Sequence, residues 1–201
     1  PTPHPSFPLT RSKRCVTSSS RLIPKQVTPF YNSHKEPIGK PTDGLFALTN
    51  AQKRVVDEIA TDFLKSTPMN RLVQGDVGSG KTCVAAISMY MAVKNGYQAA
   101  IMAPTEILAT QHYDTFLEFF KNTDIRVCLL TGSTRGKSAL YDKIKSGEYD
   151  VVVGTHAIIQ KDVEYNNLGL VIADEQHRFG VSQRAELAEK GENPHVLIMT
   201  A

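Results

Sequence analysis

The residues that most restrict this chain are Gly75-Asp76-Val77-Gly78-Ser79-Gly80-Lys81-Thr82, a G-x-x-x-x-G-K-[ST] run. Its glycines let the backbone curl so that successive N–H groups point inward, making a cradle for an anion. The run lies between an apolar stretch with strand character, Arg71–Gln74, and a helical one, Lys81–Asn95. The helix N-terminus therefore adds its partial positive charge to the cradle. Lys81 would reach the β- and γ-phosphates of a nucleoside triphosphate, and Thr82 would offer its hydroxyl to Mg²⁺. At the usual glycine frequency a chance match in a chain this long has odds of roughly one in a hundred, so a plain glycine-rich turn is the weaker reading.

From Gly44 onward apolar strands alternate with amphipathic helices. Thr49-Asn50-Ala51-Gln52 has the form of a capping box, and Val55, Val56, Ile59, Ala60, Phe63 and Leu64 follow at helical spacing, so a helix starts there. Further strands are predicted at Gln98–Met102, Ile125–Leu130, Asp150–Val153, Leu168–Ala173 and His195–Met199. Helices are predicted at Thr105–Lys121, Lys137–Ser146 and Ser182–Lys190, with Gly96 and Gly191 as stop signals. Such alternation implies an α/β domain, a parallel sheet with helices on both faces.

Residues 1–44 differ in kind. They hold eight of the eleven prolines, a Ser18-Ser19-Ser20 run, and seven Lys/Arg against two acids. Such a segment buries too little to offset its chain entropy and reads as a disordered tail or linker. An organellar transit segment and unrelated, misjoined sequence remain open as alternatives. The chain opens on Pro1 without Met, which points to a fragment or a processed chain. Residues 45–201 carry sixteen basic against eighteen acidic side chains, so the overall charge of +3 gives no ground for a basic nucleic-acid groove. Cys15, Cys83 and Cys128 are scattered, which gives little support to a disulfide framework or a zinc ribbon, and no apolar run is long enough to span a bilayer.

A triphosphate also needs its metal and its water handled. Leu170-Val171-Ile172-Ala173 reads as a buried strand that delivers Asp174 and Glu175 at its carboxyl end, where α/β sheets bind ligands. Asp174 would hold Mg²⁺ and Glu175 would orient or deprotonate the attacking water.

Three wider strings then resemble one family. Arg71 to Thr82, Met102-Ala103-Pro104-Thr105-Glu106-Ile107-Leu108-Ala109, and Asp174-Glu175-Gln176-His177-Arg178-Phe179-Gly180-Val181 resemble the RecG family of bacterial branch-migrating DNA helicases, of the DExH type in superfamily 2. The transcription-repair coupling translocases are the nearest relatives by motif. The resemblance covers residues 45–201 and implies a RecA-like P-loop lobe, the first of two in a motor, using ATP and Mg²⁺ in the bacterial cytoplasm, or in an organelle if the tail is a transit segment. It implies that Phe46 and Gln52 contact adenine, although Gln52 equally fits the capping box. It implies that Pro104, Thr105, Glu106 and Gln111, then Thr131, Gly132 and Ser133, then Thr155 and His156 touch the DNA backbone without reading sequence. It also implies that His177 links the nucleotide to Met199-Thr200-Ala201.

A second lobe bearing an arginine finger and a wedge domain would be partners in the parent chain, since neither fits within 201 residues. A nucleotide-binding module without motor activity and a small-molecule kinase stay open beside the helicase lobe, but a kinase leaves the Asp174–His177 string unexplained. His112 reads as a packing or surface residue. Cys83 reads as a buried small apolar one, and Tyr113, Phe116, Phe119 and Phe120 as core.

Overall fold

The computed structural model describes residues 48–174, 186 and 190–201. Its order of elements is α1 (Asn50–Phe63), β1 (Asn70–Gln74), α2 (Lys81–Lys94), β2 (Gln98–Met102), α3 (Glu106–Phe120), β3 (Val127–Leu130), α4 (Lys137–Lys145), β4 (Val151–Gly154), a 3-10 turn (His156–Ile159), β5 (Leu168–Asp174) and β6 (His195–Thr200). The expected elements within these residues form; the helix expected over Ser182–Lys190 lies, apart from Glu186 and Lys190, outside the described residues. The 3-10 turn directly after β4 was not anticipated, since four residues are too few to establish a period.

The six strands form one wholly parallel sheet in the order β1-β6-β5-β2-β4-β3. Side chains alternate across it. Ala99, Ile101, Val127, Val151, Val153, Leu170, Ile172, Leu197 and Met199 pack with α1, α2 and α3 on one face. Ala100, Met102, Cys128, Leu130, Val152, Val171 and Ala173 pack with Ile144 of α4 and the 3-10 turn on the other. Both faces are therefore covered, which is why β2 and β5 are buried at every position. Phe116 and Phe120 are core, as the sequence implies, while Tyr113 and Phe119 pack partly buried at its margin. Cys83 is half-buried rather than buried, because it sits in the first turn of α2, near the open end of the sheet. Cys128 is enclosed, and burial pushes its thiol up to about 12.

Local chemistry sets where the helices begin. Thr49 and Gln52 form the full capping box: Gln52 N–H donates to Thr49 Oγ1 at 3.2 Å, and Thr49 N–H donates to Gln52 Oε1 at 2.9 Å. Thr105 caps α3 by accepting from the Leu108 N–H at 3.2 Å. No helix among the described residues is long and apolar enough to cross a membrane.

The edge strand β1 is tied to α1 by charge. Arg71 Nη2 lies 2.6 Å from Asp62 Oδ2 and its Nε donates to the same oxygen at 2.8 Å, while Glu58 takes Nη1 and Lys65 takes Asp62 Oδ1 at 2.6 Å. Burial pushes the Asp62 carboxyl up, and the hydrogen bonds and charges of Lys65 and Arg71 overcome it and leave the carboxyl below its ordinary value. A lowered carboxyl stabilises the fold above its unfolded value and loses that contribution as pH falls through its folded value. Asp62→Asn is expected to cost about 1–3 kcal/mol at neutral pH, with the gap to the parent chain narrowing in acid. Urea melts of both proteins at pH 7 and near pH 3 check this; a gap that does not depend on pH contradicts it.

Candidate functional site

Because all six strands run parallel, their carboxyl ends share one edge, and the loops leaving that edge carry the described candidates other than Gln52 and Gln111. Gly75–Thr82 follows β1, Pro104–Glu106 follows β2, Thr131–Ser133 follows β3, Thr155 and His156 follow β4, and Asp174 ends β5. Phe46, Glu175 and His177 lie outside the described residues.

The phosphate cradle is built from backbone. Gly78 and Gly80 adopt φ of 82° and 81°, left-handed values that cost a side-chain-bearing residue about 1–2 kcal/mol. Gly80 is the N-cap of α2 and offers no side chain to cap it, unlike Thr49 and Thr105 on α1 and α3. The Cys83 N–H donates to the Gly80 carbonyl at 3.0 Å, and no side-chain cap competes for the N–H groups of Lys81 and Thr82, the arrangement a phosphate needs. Lys81 lies over the same loop, with Nζ donating to the carbonyls of Gly75 at 2.5 Å and Asp76 at 3.0 Å. The loop closes on itself through the Ser79 N–H and Asp76 carbonyl, 3.1 Å apart, and Val77 at its tip is 91% exposed.

Gln52 does more than cap its helix. Its Nε2 donates to the Ser79 carbonyl at 2.9 Å, so α1 braces the loop directly. An adenine contact by Gln52 would draw on the amide hydrogen and oxygen lone pair that these bonds leave over.

One strand separates the loop from the carboxylate. β6 pairs Thr200 with Gln74 on one side and Met199 with Asp174 on the other, and the Gly75 N–H donates to the Thr200 carbonyl at 3.2 Å. Two strand spacings, about 9.6 Å, thus lie between the cradle strand and Asp174. The Thr82 hydroxyl in the first turn of α2 and the Asp174 carboxylate at the end of β5 are the kinds of oxygen ligand that Mg²⁺ would accept, with waters and phosphate completing its shell. Among the described residues no cluster of three or more His, Cys, Asp or Glu could hold a metal by itself.

His112 corrects the sequence reading. It is not only a packing residue: its Nε2 lies 2.7 Å from Asp174 Oδ2, with both residues 9% exposed. Its ring stacks on Phe116, which stacks on Phe120, with centroids 5.8 and 6.2 Å apart. Steps of four along α3 put the three rings in one column, and a polar member of such a column was the sign available in the sequence.

The expected DNA contacts divide. Glu106 is fastened within the protein, its Oε1 accepting from the Ser133 N–H at 3.0 Å and its Oε2 from the Ser133 hydroxyl at 2.7 Å. Those hydrogen bonds from Ser133 hold the carboxyl below its ordinary value. An ionised carboxylate has no hydrogen to give a phosphate, so Glu106 joins the loops after β2 and β3 rather than serving as a DNA donor. Thr131 is 4% exposed and turned inward: its N–H donates to Thr134 Oγ1 at 2.9 Å and its hydroxyl pairs with that of Ser133 at 3.0 Å. Pro104, Thr105 and Thr155 are half-buried at the edge, while Gly132, Ser133, Gln111 and His156 are exposed. Gly154, just before Thr155, is required by packing, since a Cβ there would lie 2.1 Å from the Leu130 carbonyl oxygen.

The DEAD/DEAH box helicase model matches residues 49–201, which contain the described strands, the cradle and Asp174. The chain belongs to the DEAD/DEAH box helicase family. Within it, this helicase domain is 56% identical over 158 residues to the ATP-dependent DNA helicase RecG of Bacillus subtilis, covering 78% of this chain and 23% of that protein. It is 51% identical over 180 residues to RecG of Synechocystis sp., covering 88% of this chain and 22% of the relative. The chain thus spans under a quarter of the length of the RecG proteins it matches. The Synechocystis match is longer than residues 45–201 alone can supply, so it reaches into the proline-rich segment. A solved structure described as RecG bound to a three-way DNA junction superposes with a TM-score of 0.73 at 45% identity, over 89% of this chain and 23% of that one.

At Gly80 a Cβ would come within 2.2 Å of Gln52 Nε2, in addition to the cost of its left-handed φ. Gly80→Ala should therefore displace the Gln52 brace and lower nucleotide affinity by more than tenfold. Isothermal titration with ATP checks this; unchanged affinity would contradict the braced cradle.

Proposed function

We propose that this DEAD/DEAH box domain is the ATP-binding motor lobe of a RecG-like DNA helicase that acts on branched DNA in recombination and repair. The observation that carries the reading is that β1, which leads into the uncapped, glycine-turned start of α2, and β5, which ends in Asp174, flank β6 with their carboxyl ends at one sheet edge. The names of the RecG relatives and the junction-bound neighbour support the DNA half of the proposal.

In this reading Lys81 leaves the Gly75 and Asp76 carbonyls and turns to the β- and γ-phosphates as they enter the cradle. Thr82 and Asp174 hold Mg²⁺, which when bound neutralises charge on the phosphate oxygens. Glu175, next in sequence to Asp174, handles the water. Phe46 and Gln52 face adenine, and His177 relays the state of the nucleotide to Met199-Thr200-Ala201. The hydroxyls of Thr105 and Thr155 take DNA phosphates, and the N–H and hydroxyl of Ser133 join them only by leaving Glu106, giving contacts without base readout. Hydrolysis coupled to movement along DNA belongs to the parent protein, with a second RecA-like lobe and a wedge domain as partners.

Lys81→Ala is expected to weaken Mg-ATP binding about 10- to 100-fold, the worth of a hydrogen bond to a charged group, without lowering the melting temperature. Glu175→Gln should bind ATP as the parent does and abolish DNA-stimulated hydrolysis in the full-length protein. Calorimetry on the chain and phosphate release by the full-length protein read these. Equal ATP affinity in Lys81→Ala would remove the phosphate-site assignment. Tight Mg-ATP binding with no DNA response in the full-length protein would instead favour a nucleotide module without motor function.

A further inference from the structure

We propose that His112 is a positioning residue for the metal site, fixing the Asp174 carboxylate through Oδ2 so that Oδ1 is presented to Mg²⁺. The proposal rests on the ATP-site reading above and adds to it a residue on a different element. Asp174 is the last residue of β5, and a carboxylate on a strand end turns about two side-chain bonds unless something holds it. His112 holds it at 2.7 Å, in a place where both side chains are nearly excluded from water. A carboxylate only accepts, so Nε2 is the atom that carries the hydrogen. The ring cannot easily swing away, because Phe116 and Phe120 stack beneath it and are buried in the core.

The contact also joins two parts of the edge. α3 begins at the Thr105 cap and at Glu106, which grips the Ser133 loop, and reaches Asp174 less than two turns later. A shift of α3 along its axis would therefore move the strand-edge loops and the Asp174 oxygen together. Partners of this outer kind typically cost 10- to 100-fold in metal affinity when removed.

The test uses the 201-residue chain and a fluorescent ATP analogue, measuring the Mg²⁺ concentration for half-maximal binding and the affinity in EDTA. His112→Phe keeps an aromatic ring for the stack and removes the hydrogen; His112→Gln keeps a donor and removes the ring; melting temperatures of both are recorded. His112→Phe should raise the Mg²⁺ requirement about tenfold with EDTA affinity unchanged, and His112→Gln should stay within about threefold of the parent. Adding Asp174→Asn to His112→Phe should cost no more than Asp174→Asn alone, as expected if His112 acts through Asp174. A normal Mg²⁺ requirement in His112→Phe, or additive losses in the double variant, would overturn the proposal and leave His112 a packing residue. Absence of any nucleotide binding by the parent chain would instead bring down the ATP-site reading itself, and the His112 proposal with it.

Discussion

Insertion of β6 between β1 and β5 is the constraint on which the site depends. The strand is the last in the described chain, yet it pairs in parallel with β1 over five positions and with β5 over five more. Parallel pairing places carboxyl ends together, and the register Gln74–Thr200 and Asp174–Met199 levels the cradle strand with the carboxylate. The interval between them is then set by backbone hydrogen bonding and not by any side chain. The site's dimension is thus inherited from strand spacing, and its chemistry from the residues that happen to stand at the strand ends.

The helices supply a different kind of control. α2 leaves its N-terminus uncapped and so keeps donors for an anion, whereas α1 and α3 satisfy theirs with threonine. The Gln52 amide extends the capping of α1 into a brace on the Ser79 carbonyl, so one side chain both starts a helix and steadies the phosphate loop. α3 works similarly, with Thr105 at its start, Glu106 on the neighbouring loop and His112 on Asp174. In each case a residue in the first turns of a helix reaches a loop from another strand, which is how separate loops on one edge become a single site.

Much of this was legible in the sequence, for a physical reason. A doubly covered parallel sheet makes its strands continuous apolar runs, and glycine and lysine spacing marks the cradle without any tertiary information. What the sequence could not carry were contacts between elements distant along the chain. His112 and Asp174 are 62 residues apart, Glu106 and Ser133 27, and nothing in either local pattern declares the partner. Gln52 was ambiguous between cap and ligand because both uses need the same amide; the structure displays the cap and a brace that neither reading included. Glu106 and Thr131 were assigned outward roles by resemblance; geometry buries Thr131 and ties the exposed Glu106 to Ser133.

In the proposed reading, a body with more acidic than basic side chains holds two polyanions through local donors rather than through net charge. The cradle presents N–H groups of a helix start, whereas the N–H and hydroxyl of Ser133 after β3 are held by an internal carboxylate that a phosphate would have to displace. Oriented backbone dipoles act over one or two bond lengths and need no long-range positive field. Glu106 makes the point most sharply: placing a negative charge beside an intended phosphate contact would be costly if attraction came from net charge. Within the protein that charge is satisfied by the N–H and hydroxyl of Ser133, so it shapes the loop rather than attracting or repelling at long range. Binding built this way gains little from long-range steering and depends on whether the loops are correctly shaped, which is the property that the contacts of α1 and α3 control.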